Sequence, residues 1–332
     1  MESNIILTVL VPVYNTEDYL DKCLGSLVVS KELMDILEVL VVIDGSKDNS
    51  IGIARKYESD YPNTFRVIDK ENGGHGSCCN VGVAEAKGKY IHFLDSDDWF
   101  DEGFSKYLLR LREESSDVVF TKRVNERLFD NSTDIHSFQS IEYDKTYPLE
   151  SLRNKGFAFT IHEVSYSVHL FRRYHVHFRE KVSHDDAIFA VAGFLGVENI
   201  AFYNMVLYHY LIGRPGQSMD PQIISKHFKD RCYTTYDCFE LYEKSKNNNK
   251  KITNEFVVRS LGWNLERLYA DAWKQKRGVA KGDISFLNEM YKDHLENIPI
   301  NKNYLVKIAL YLPFSFGFFL IHYIIKPILH LR

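Results

Sequence analysis

Apolar and polar positions alternate in blocks along the first hundred residues. Ile5 to Val13 is a continuous apolar run rich in β-branched residues, the pattern of a strand buried on both faces. Pro12 near its end, then Tyr14-Asn15-Thr16, predicts a turn, with Thr16 placed to cap a helix from Glu17 that carries Tyr19, Leu20, Leu24 and Leu27 on its apolar face. A second buried run, Leu37 to Ile43, closes in Asp44-Gly45-Ser46. A helix opening at Asp48-Asn49-Ser50 follows and is broken by Pro62. Phe65 to Ile68 predicts a third strand, Asn72-Gly73-Gly74-His75-Gly76 a flexible loop, and Ser77 to Ala86 a helix. Tyr90 to Leu94 is a fourth apolar run, and it stops at Asp95-Ser96-Asp97-Asp98. Strands and helices alternating at this spacing predict an α/β fold with a doubly wound, mostly parallel sheet.

Beyond residue 105 the pattern loosens. Phe104 to Glu114 predicts a helix and Asp117 to Thr121 a short strand. Residues 125 to 150 read as polar and irregular, and Glu163 to Phe171 as an aromatic strand. Ser183-His184-Asp185-Asp186 precedes an apolar helix, Ala187 to Leu195. Ile200 to Ile212 predicts a long strand that ends at Gly213-Arg214-Pro215-Gly216. Helices are expected over Gln222 to Lys244 and Thr253 to Lys274. From Lys307 to Lys326 no charged residue intervenes. That run is near the short limit for a membrane span, about 17 residues, and Pro313 and Gly317 interrupt it. With Phe314, Phe316, Phe318, Phe319 and Tyr323 flanked by Lys302, Lys307, Lys326 and Arg332, it fits an amphipathic segment lying on a membrane better than one crossing it, the alternative being a final helix packed on the core.

Composition narrows the function. The 332 residues are 45% hydrophobic and 26% charged, the balance of an ordinary globular chain, and the net charge of −4 gives no reason to expect a nucleic-acid partner. Five cysteines, an odd number without metal-ligand spacing, suggest a reducing compartment, and the N-terminus lacks the basic region of a secretory signal. Three carboxylates within four residues at the carboxyl end of a buried strand stand where open α/β sheets bind ligands. They repel one another and call for a counter-charge, for which a divalent cation shared with substrate phosphates is the natural candidate, although Asp-Ser-Asp-Asp alone would also suit a polar turn that caps a helix. Gly74-x-Gly76 invites a dinucleotide-binding reading, but the third glycine position holds Cys79.

Four stretches carry a resemblance when read together: Val11-Pro12-Val13-Tyr14-Asn15-Thr16-Glu17, Val41 to Ser50 around Asp44-Gly45-Ser46, Asn72-Gly73-Gly74 before its helix, and Leu94-Asp95-Ser96-Asp97-Asp98-Trp99. In this order and spacing the chain resembles the family-2 inverting glycosyltransferases of the GT-A fold, closely over residues 5 to 105 and more loosely to Ser218. The resemblance implies a GT-A domain over 1–218, with a nucleotide-sugar half (1–105) and an acceptor half (106–218), followed by a helical region (219–300) and the membrane-associating tail (301–332). It implies transfer of a sugar from a nucleotide sugar, UDP-linked by expectation, to a glycan or lipid-linked acceptor at the cytoplasmic face of a bacterial membrane. Pro12, Val13 and Tyr14 would line the base pocket, with Tyr14 stacking and Glu17 and Ser96 also at the donor. Asp44 would read the uracil edge. Asp95 would lie near the ribose and share with Asp97 a Mg2+ or Mn2+ ion, Asp97 being its principal ligand, while Asp98 caps. His184 to Phe189 is similar to the family's Glu-Asp-x-x-Phe segment, which makes Asp186 the general base, with Asp185 its rival. Arg214 and Ser218 would face the diphosphate. Two departures stand out: Ile43 replaces the first of a common acid pair, and Cys79 stands where the family often has arginine. A catalytically silent partner of the same fold is the second reading; a nucleotidyltransferase ranks last, because Thr8 to Glu17 holds neither glycine nor a basic residue.

Overall fold

The computed structural model describes residues 4–152, 155, 160–183, 187–214, 217, 226–245 and 251–293, together with 312, 314 and 315. The first part of the chain alternates as the apolar blocks predict: β1 (Leu7–Val13), α1 (Glu17–Gly25), the short α2 (Lys31–Met34), β2 (Leu37–Asp44), α3 (Ser50–Asp60), β3 (Phe65–Lys70), α4 (His75–Glu85) and β4 (Tyr90–Phe93). All its strand pairings are parallel, in the order β3-β2-β1-β4. Every residue of β2 is buried, which explains its unbroken apolar run.

The second part, residues 99–212, extends the same sheet. It comprises β5 (Trp99–Phe100), α5 (Phe104–Arg112), β6 (Val118–Arg127), β7 (Ser132–His136), β8 (Lys145–Pro148), β9 (Val164–Ser167), α6 (Val168–Arg173), α7 (Ala187–Ala192) and β10 (Asn199–Ile212). Strand β9 runs antiparallel between β4 and β6, and β6 pairs in parallel with β10. The polar stretch 125–150 is not irregular: β6 continues to Arg127, β7 folds back on it, and β8 pairs with β10. No residue of β7 or β8 is buried and most are exposed on both faces, so their sequence carries no apolar alternation, and charged cross-strand partners such as Arg127 and Asp134 take the place of apolar ones. The expected strand 163–171 is shorter than predicted. Its backbone turns at Ser167 into α6, whose Leu170 and Phe171 are buried against the sheet.

The core has two layers because side chains alternate across the sheet. Leu10, Leu40, Val42, Ile91, Phe93, Val118, Phe120, Ile200 and Phe202 face one layer; Val9, Val11, Val39, Val41, Leu94, Val119 and Ala201 face the other. The first layer also holds α8 (Phe228–Ser245), α9 (Lys251–Lys274) and α10 (Arg277–Tyr291), with Cys232, Phe239, Tyr269, Trp273 and Tyr291 buried, so the helical region packs on the sheet. Among the described residues no helix is long and apolar enough to cross a membrane. Most of the 301–332 tail lies outside them; of its described residues, Phe314 stacks on buried Trp273 with ring centroids 5.6 Å apart.

Two buried polar groups hold the parallel strands in place. Glu38 on β2 accepts from Thr8 Oγ1 on β1 at 2.8 Å and from the Lys87 amide at 2.8 Å, and pairs with Arg66 at 3.2 Å. His92, fully buried in β4, bonds Ser165 Oγ of β9 at 2.8 Å and the His162 carbonyl at 3.2 Å. Burial pushes its imidazole down to about 3, so at neutral pH it is uncharged. Helix α4 meets β1 at Gly82, where an added Cβ would lie 2.2 Å from Leu10 Cδ2. Gly82→Ala is therefore expected to lower the unfolding free energy by about 1–3 kcal/mol, read by chemical denaturation; an unchanged midpoint would contradict this packing.

Candidate active site

The carboxyl ends of β1, β2 and β4 stand side by side, the place where open α/β sheets form their ligand crevice. At the end of β1 the chain turns through Asn15, whose φ of +52° is left-handed, and leaves the Tyr14 ring half exposed. The loops after β1 and β2 are laced together. Asn15 N donates to Ser46 Oγ at 3.1 Å, Thr16 N to Ser50 Oγ at 3.1 Å and Glu17 N to Asp48 Oδ2 at 2.9 Å. Glu17 answers by accepting from Asn49 N at 2.7 Å, satisfying an amide at the start of α3. Ser96 Oγ is tied to Thr16 Oγ1 at 3.0 Å. Glu17 and Ser96 thus fasten the rim on which Pro12, Val13 and Tyr14 sit.

Asp44 ends β2 and is buried, with Lys70 Nζ 2.6 Å from Oδ1. Gly73 N donates to Oδ1 and Gly74 N to Oδ2, each at 2.8 Å, and the Asn72 amide donates to the Asp44 carbonyl at 2.9 Å. Gly74 has a φ of +83°, and a Cβ there would lie 3.2 Å from Lys181 N, so glycine is required on both counts. The far side of the loop is held by Lys181, whose amide donates to Gly73 O at 2.6 Å.

At the end of β4 each of three aspartates has a different partner. Asp95 Oδ2 lies 3.4 Å from His162 Nε2. Burial works against its ionisation, but bonding to His162 and the charges of His162, His75 and Arg214 prevail and hold its carboxyl below the usual range. Asp97 is ion-paired with Arg214 Nε. Burial and the charge of Asp95 outweigh this pairing and push Asp97 upward. Asp98 is sealed: the Tyr208 hydroxyl donates to Oδ2 at 2.6 Å and Leu211 N to Oδ1 at 2.7 Å, while burial and its two acidic neighbours raise its pKa well above normal. Tyr208 Oη also accepts from Asp95 N at 3.1 Å. Asp98 therefore anchors β10 to the end of β4.

Tyr208 and His162 escaped the sequence reading. Tyr208 sits in a run that reads as an ordinary aromatic strand, Leu207-Tyr208-His209-Tyr210-Leu211; its neighbour His209 is occupied by Glu126 at 2.8 Å and Asp101 at 3.2 Å. His162 lies in a short 3-10 turn, Ile161–Glu163, fixed by a capping box in which Thr160 and Glu163 exchange bonds. Its ring stacks on Tyr210 with centroids 4.2 Å apart. The legible signal was the Thr-x-x-Glu spacing of that box. Among the described residues, ligand atoms of Asp95, Asp98 and His162 lie within 4.8 Å of one another, near enough to hold a metal ion. Asp97, expected as the principal ligand, is turned to Arg214 instead. Asp185, Asp186 and Ser218 lie outside the described residues; Ser183, just before the acid pair, donates its amide to Asp230 Oδ2 at 3.1 Å. All five cysteines are buried thiols, none of them in a disulfide.

Residues 8–177 match the model of glycosyl transferase family 2. A curated relative, the putative glycosyltransferase EpsH of Bacillus subtilis, is 30% identical over 214 residues, 62% of this chain and 60% of that protein. The poly(ribitol-phosphate) beta-N-acetylglucosaminyltransferase TarS of Staphylococcus aureus is 28% identical over 223 residues, 66% of this chain and 37% of its own. The chain thus spans less than two thirds of the length of either. A crystal structure of TarS 1–349 in complex with UDP superposes with a TM-score of 0.64 at 20% identity, over 94% of this chain and 87% of that one. A parallel β3-β2-β1-β4 sheet ending in acidic loops, and a family match over half its length, place this chain among the family 2 glycosyltransferases of GT-A fold.

Proposed function

We propose that the protein moves a sugar from a UDP-sugar to a hydroxyl of a glycan or lipid-linked acceptor, with inversion at the anomeric carbon. One observation supports this reading above the others: the ends of β1, β2 and β4 gather a half-exposed aromatic ring (Tyr14), a buried carboxylate fixed by a glycine loop (Asp44) and an acid–arginine cluster (Asp95, Asp97, Arg214) in one crevice. The base would stack on Tyr14 beside Pro12 and Val13, and Asp44, through the loop it orders or by an oxygen lone pair, would face the uracil edge. TarS, a relative of the same fold, has been solved with UDP.

The residues present fit a divalent cation. The donor set is carboxylate oxygen with one imidazole beside it, suited to Mg2+ or Mn2+. Burial and the charge of Asp95 push the Asp97 carboxyl upward despite Arg214, which is consistent with a place for further positive charge. Asp97 and Asp95 would hold the ion, which would neutralise the departing diphosphate. Arg214, already at the rim, would bear on the same charge as it develops. Asp186, just ahead of α7, would take the proton from the acceptor hydroxyl during attack; the first turn of a helix favours the ionised form of a carboxylate. Attack on the face opposite the diphosphate inverts the centre in one displacement.

The tail 301–332 is read as a peripheral contact with the inner face of the cell membrane. Phe314 belongs to the packed body, so the membrane-seeking part begins beyond Ser315.

Three outcomes test these assignments. Asp97→Ala is expected to lower turnover about 10²–10³-fold with the thermal midpoint retained; near-normal turnover, or full activity in excess chelator, would refute the metal assignment. Asp186→Asn is expected to cost about 10²–10⁴-fold in turnover with donor affinity nearly unchanged. Steady-state constants for Asp185→Asn and Asp186→Asn decide between the rivals, since the wrong assignment shows the Asp185 variant dead. Truncation after Ser315 should abolish co-sedimentation with anionic vesicles while preserving transfer to a water-soluble acceptor; a full-length chain that ignores such vesicles contradicts the tail assignment.

A further inference from the structure

Strand β10 outruns its neighbour on one edge. Pairing with β5 covers Tyr208 and His209, whereas the other edge of β10 stays on β6 as far as Ile212. Ile212 O accepts from Leu128 N at 2.9 Å, on the β6 side. Leu211 and Gly213, one residue to either side, therefore turn their backbone groups to the edge that β5 has left. Buried groups on that edge need partners of another kind.

Asp98 is the first of them, accepting from Leu211 N at 2.7 Å. Gln217 provides the next two bonds from one side chain. Its Nε2 donates to Leu211 O at 2.6 Å, and its Oε1 accepts from Gly213 N at 2.8 Å. A peptide unit of an adjoining parallel strand makes the same pair of bonds, donating to residue i and accepting from residue i+2. The side-chain amide thus takes the place of a neighbouring strand. Gln217 is buried, so loss of its amide would leave two backbone groups without partners and shielded from water.

The clip sits directly ahead of Arg214. Gly213 has a φ of +99°, and a Cβ there would lie 3.2 Å from Phe129 Cδ1. The chain at Gly213 is thus confined by Gln217 and by the Phe129 ring. Arg214 follows, and its guanidinium reaches Asp97. Gln217 N approaches Arg214 O at 3.4 Å and closes the turn. These bonds fix the backbone of the turn and make no use of the guanidinium.

We infer that Gln217 is a positioning residue: by completing the open edge of β10 it sets Arg214 where the guanidinium can pass from Asp97 to the diphosphate of the nucleotide sugar. Gln217 acts through Arg214 and makes no contact of its own with the donor. The inference rests on the nucleotide-sugar reading of the crevice and on the place that reading gives Arg214, and the test separates them.

UDP and uridine are titrated calorimetrically, at fixed Mg2+, into the full chain and into Gln217→Ala, Gln217→Glu and Arg214→Ala. The two Gln217 substitutions are also combined with Arg214→Ala. Glutamate keeps the shape and can accept from Gly213 N, but its carboxylate offers no donor to Leu211 O. Both Gln217 variants are expected to bind UDP about tenfold more weakly, with uridine affinity unchanged. Combined with Arg214→Ala they are expected to cost nothing further, because the contact they misplace is already gone. Unchanged UDP affinity in Gln217→Ala, or in Gln217→Glu should the alanine variant not fold, overturns the inference. An equal loss with and without Arg214, or for UDP and uridine alike, overturns it as well, since Gln217 then supports the crevice at large. Unchanged UDP affinity in Arg214→Ala overturns it together with the role of Arg214, while a wild-type chain that still binds UDP keeps the nucleotide reading. A wild-type chain that binds neither ligand overturns that reading, and this inference with it.

Discussion

Mutual repulsion among Asp95, Asp97 and Asp98 is the constraint from which much of this architecture follows. Three carboxylates in four residues at the end of a buried strand cannot all stay ionised and unpaired, since desolvation and like charge both penalise the anion. The fold resolves the conflict by giving each a different kind of partner. Asp95 leans on an imidazole, Asp97 on a guanidinium, and Asp98 on a phenol and a backbone amide. The partners come from segments 67 to 117 residues further on, so the acid cluster draws His162, Tyr208 and Arg214 to the carboxyl end of β4. Strand β10 is long because it must begin beside β6 and β8, deep in the sheet, and still deliver Tyr208, Leu211 and then Arg214 to the end of β4. The register shifts between Phe202 and Tyr208 let one strand do both, at the cost of a locally broken ladder.

The same residues separate catalytic potential from support. Asp98 is close enough to Asp95 and His162 for the three to share an ion, yet both its oxygens are engaged and its pKa is driven up, so it acts as a protein–protein hydrogen-bond hub inside the chain. Asp95 is the reverse case, with its carboxylate kept low and partly open to the crevice. Identical side chains three residues apart thus take opposite roles because their surroundings set opposite protonation tendencies.

How much of this was legible depended on how local the physics was. Strands β1, β2 and β4 are buried on both faces, so their apolar runs announced them, and the acids at their ends marked the crevice. Asp44 was marked as a candidate by the resemblance, but its two bonds to Gly73 and Gly74 were not legible, since they depend on a loop that returns 29 residues later. Glu17, expected at the donor, also fastens the start of α3, a bond the sequence did not announce because capping and binding use the same carboxylate and no spacing rule separates them. Strands β7 and β8 were missed since neither has a buried residue, so no apolar period of two is written into them. His162 and Tyr208 were invisible as site residues for a further reason: they matter through contacts made across 67 and 110 residues of chain.

The glycine loop joins the two ends of the site more directly than the sheet does. Asp44 holds the amides of Gly73 and Gly74, and Gly73 returns its carbonyl to Lys181, two residues before Ser183 and the acid pair. Lys181 takes a left-handed φ of +57° to make that bond, a conformation unfavourable for a side chain of its size, which the loop contact must offset. Gly74 cannot yield either, because a Cβ would strike the same backbone. The described residues on either side of the acid pair are therefore fixed: Lys181 upstream on the loop that Asp44 orders, and Ile188 and Phe189 downstream, buried in α7 against the sheet. Backbone hydrogen bonds thus carry the order imposed by one carboxylate at the end of β2 as far as residue 181.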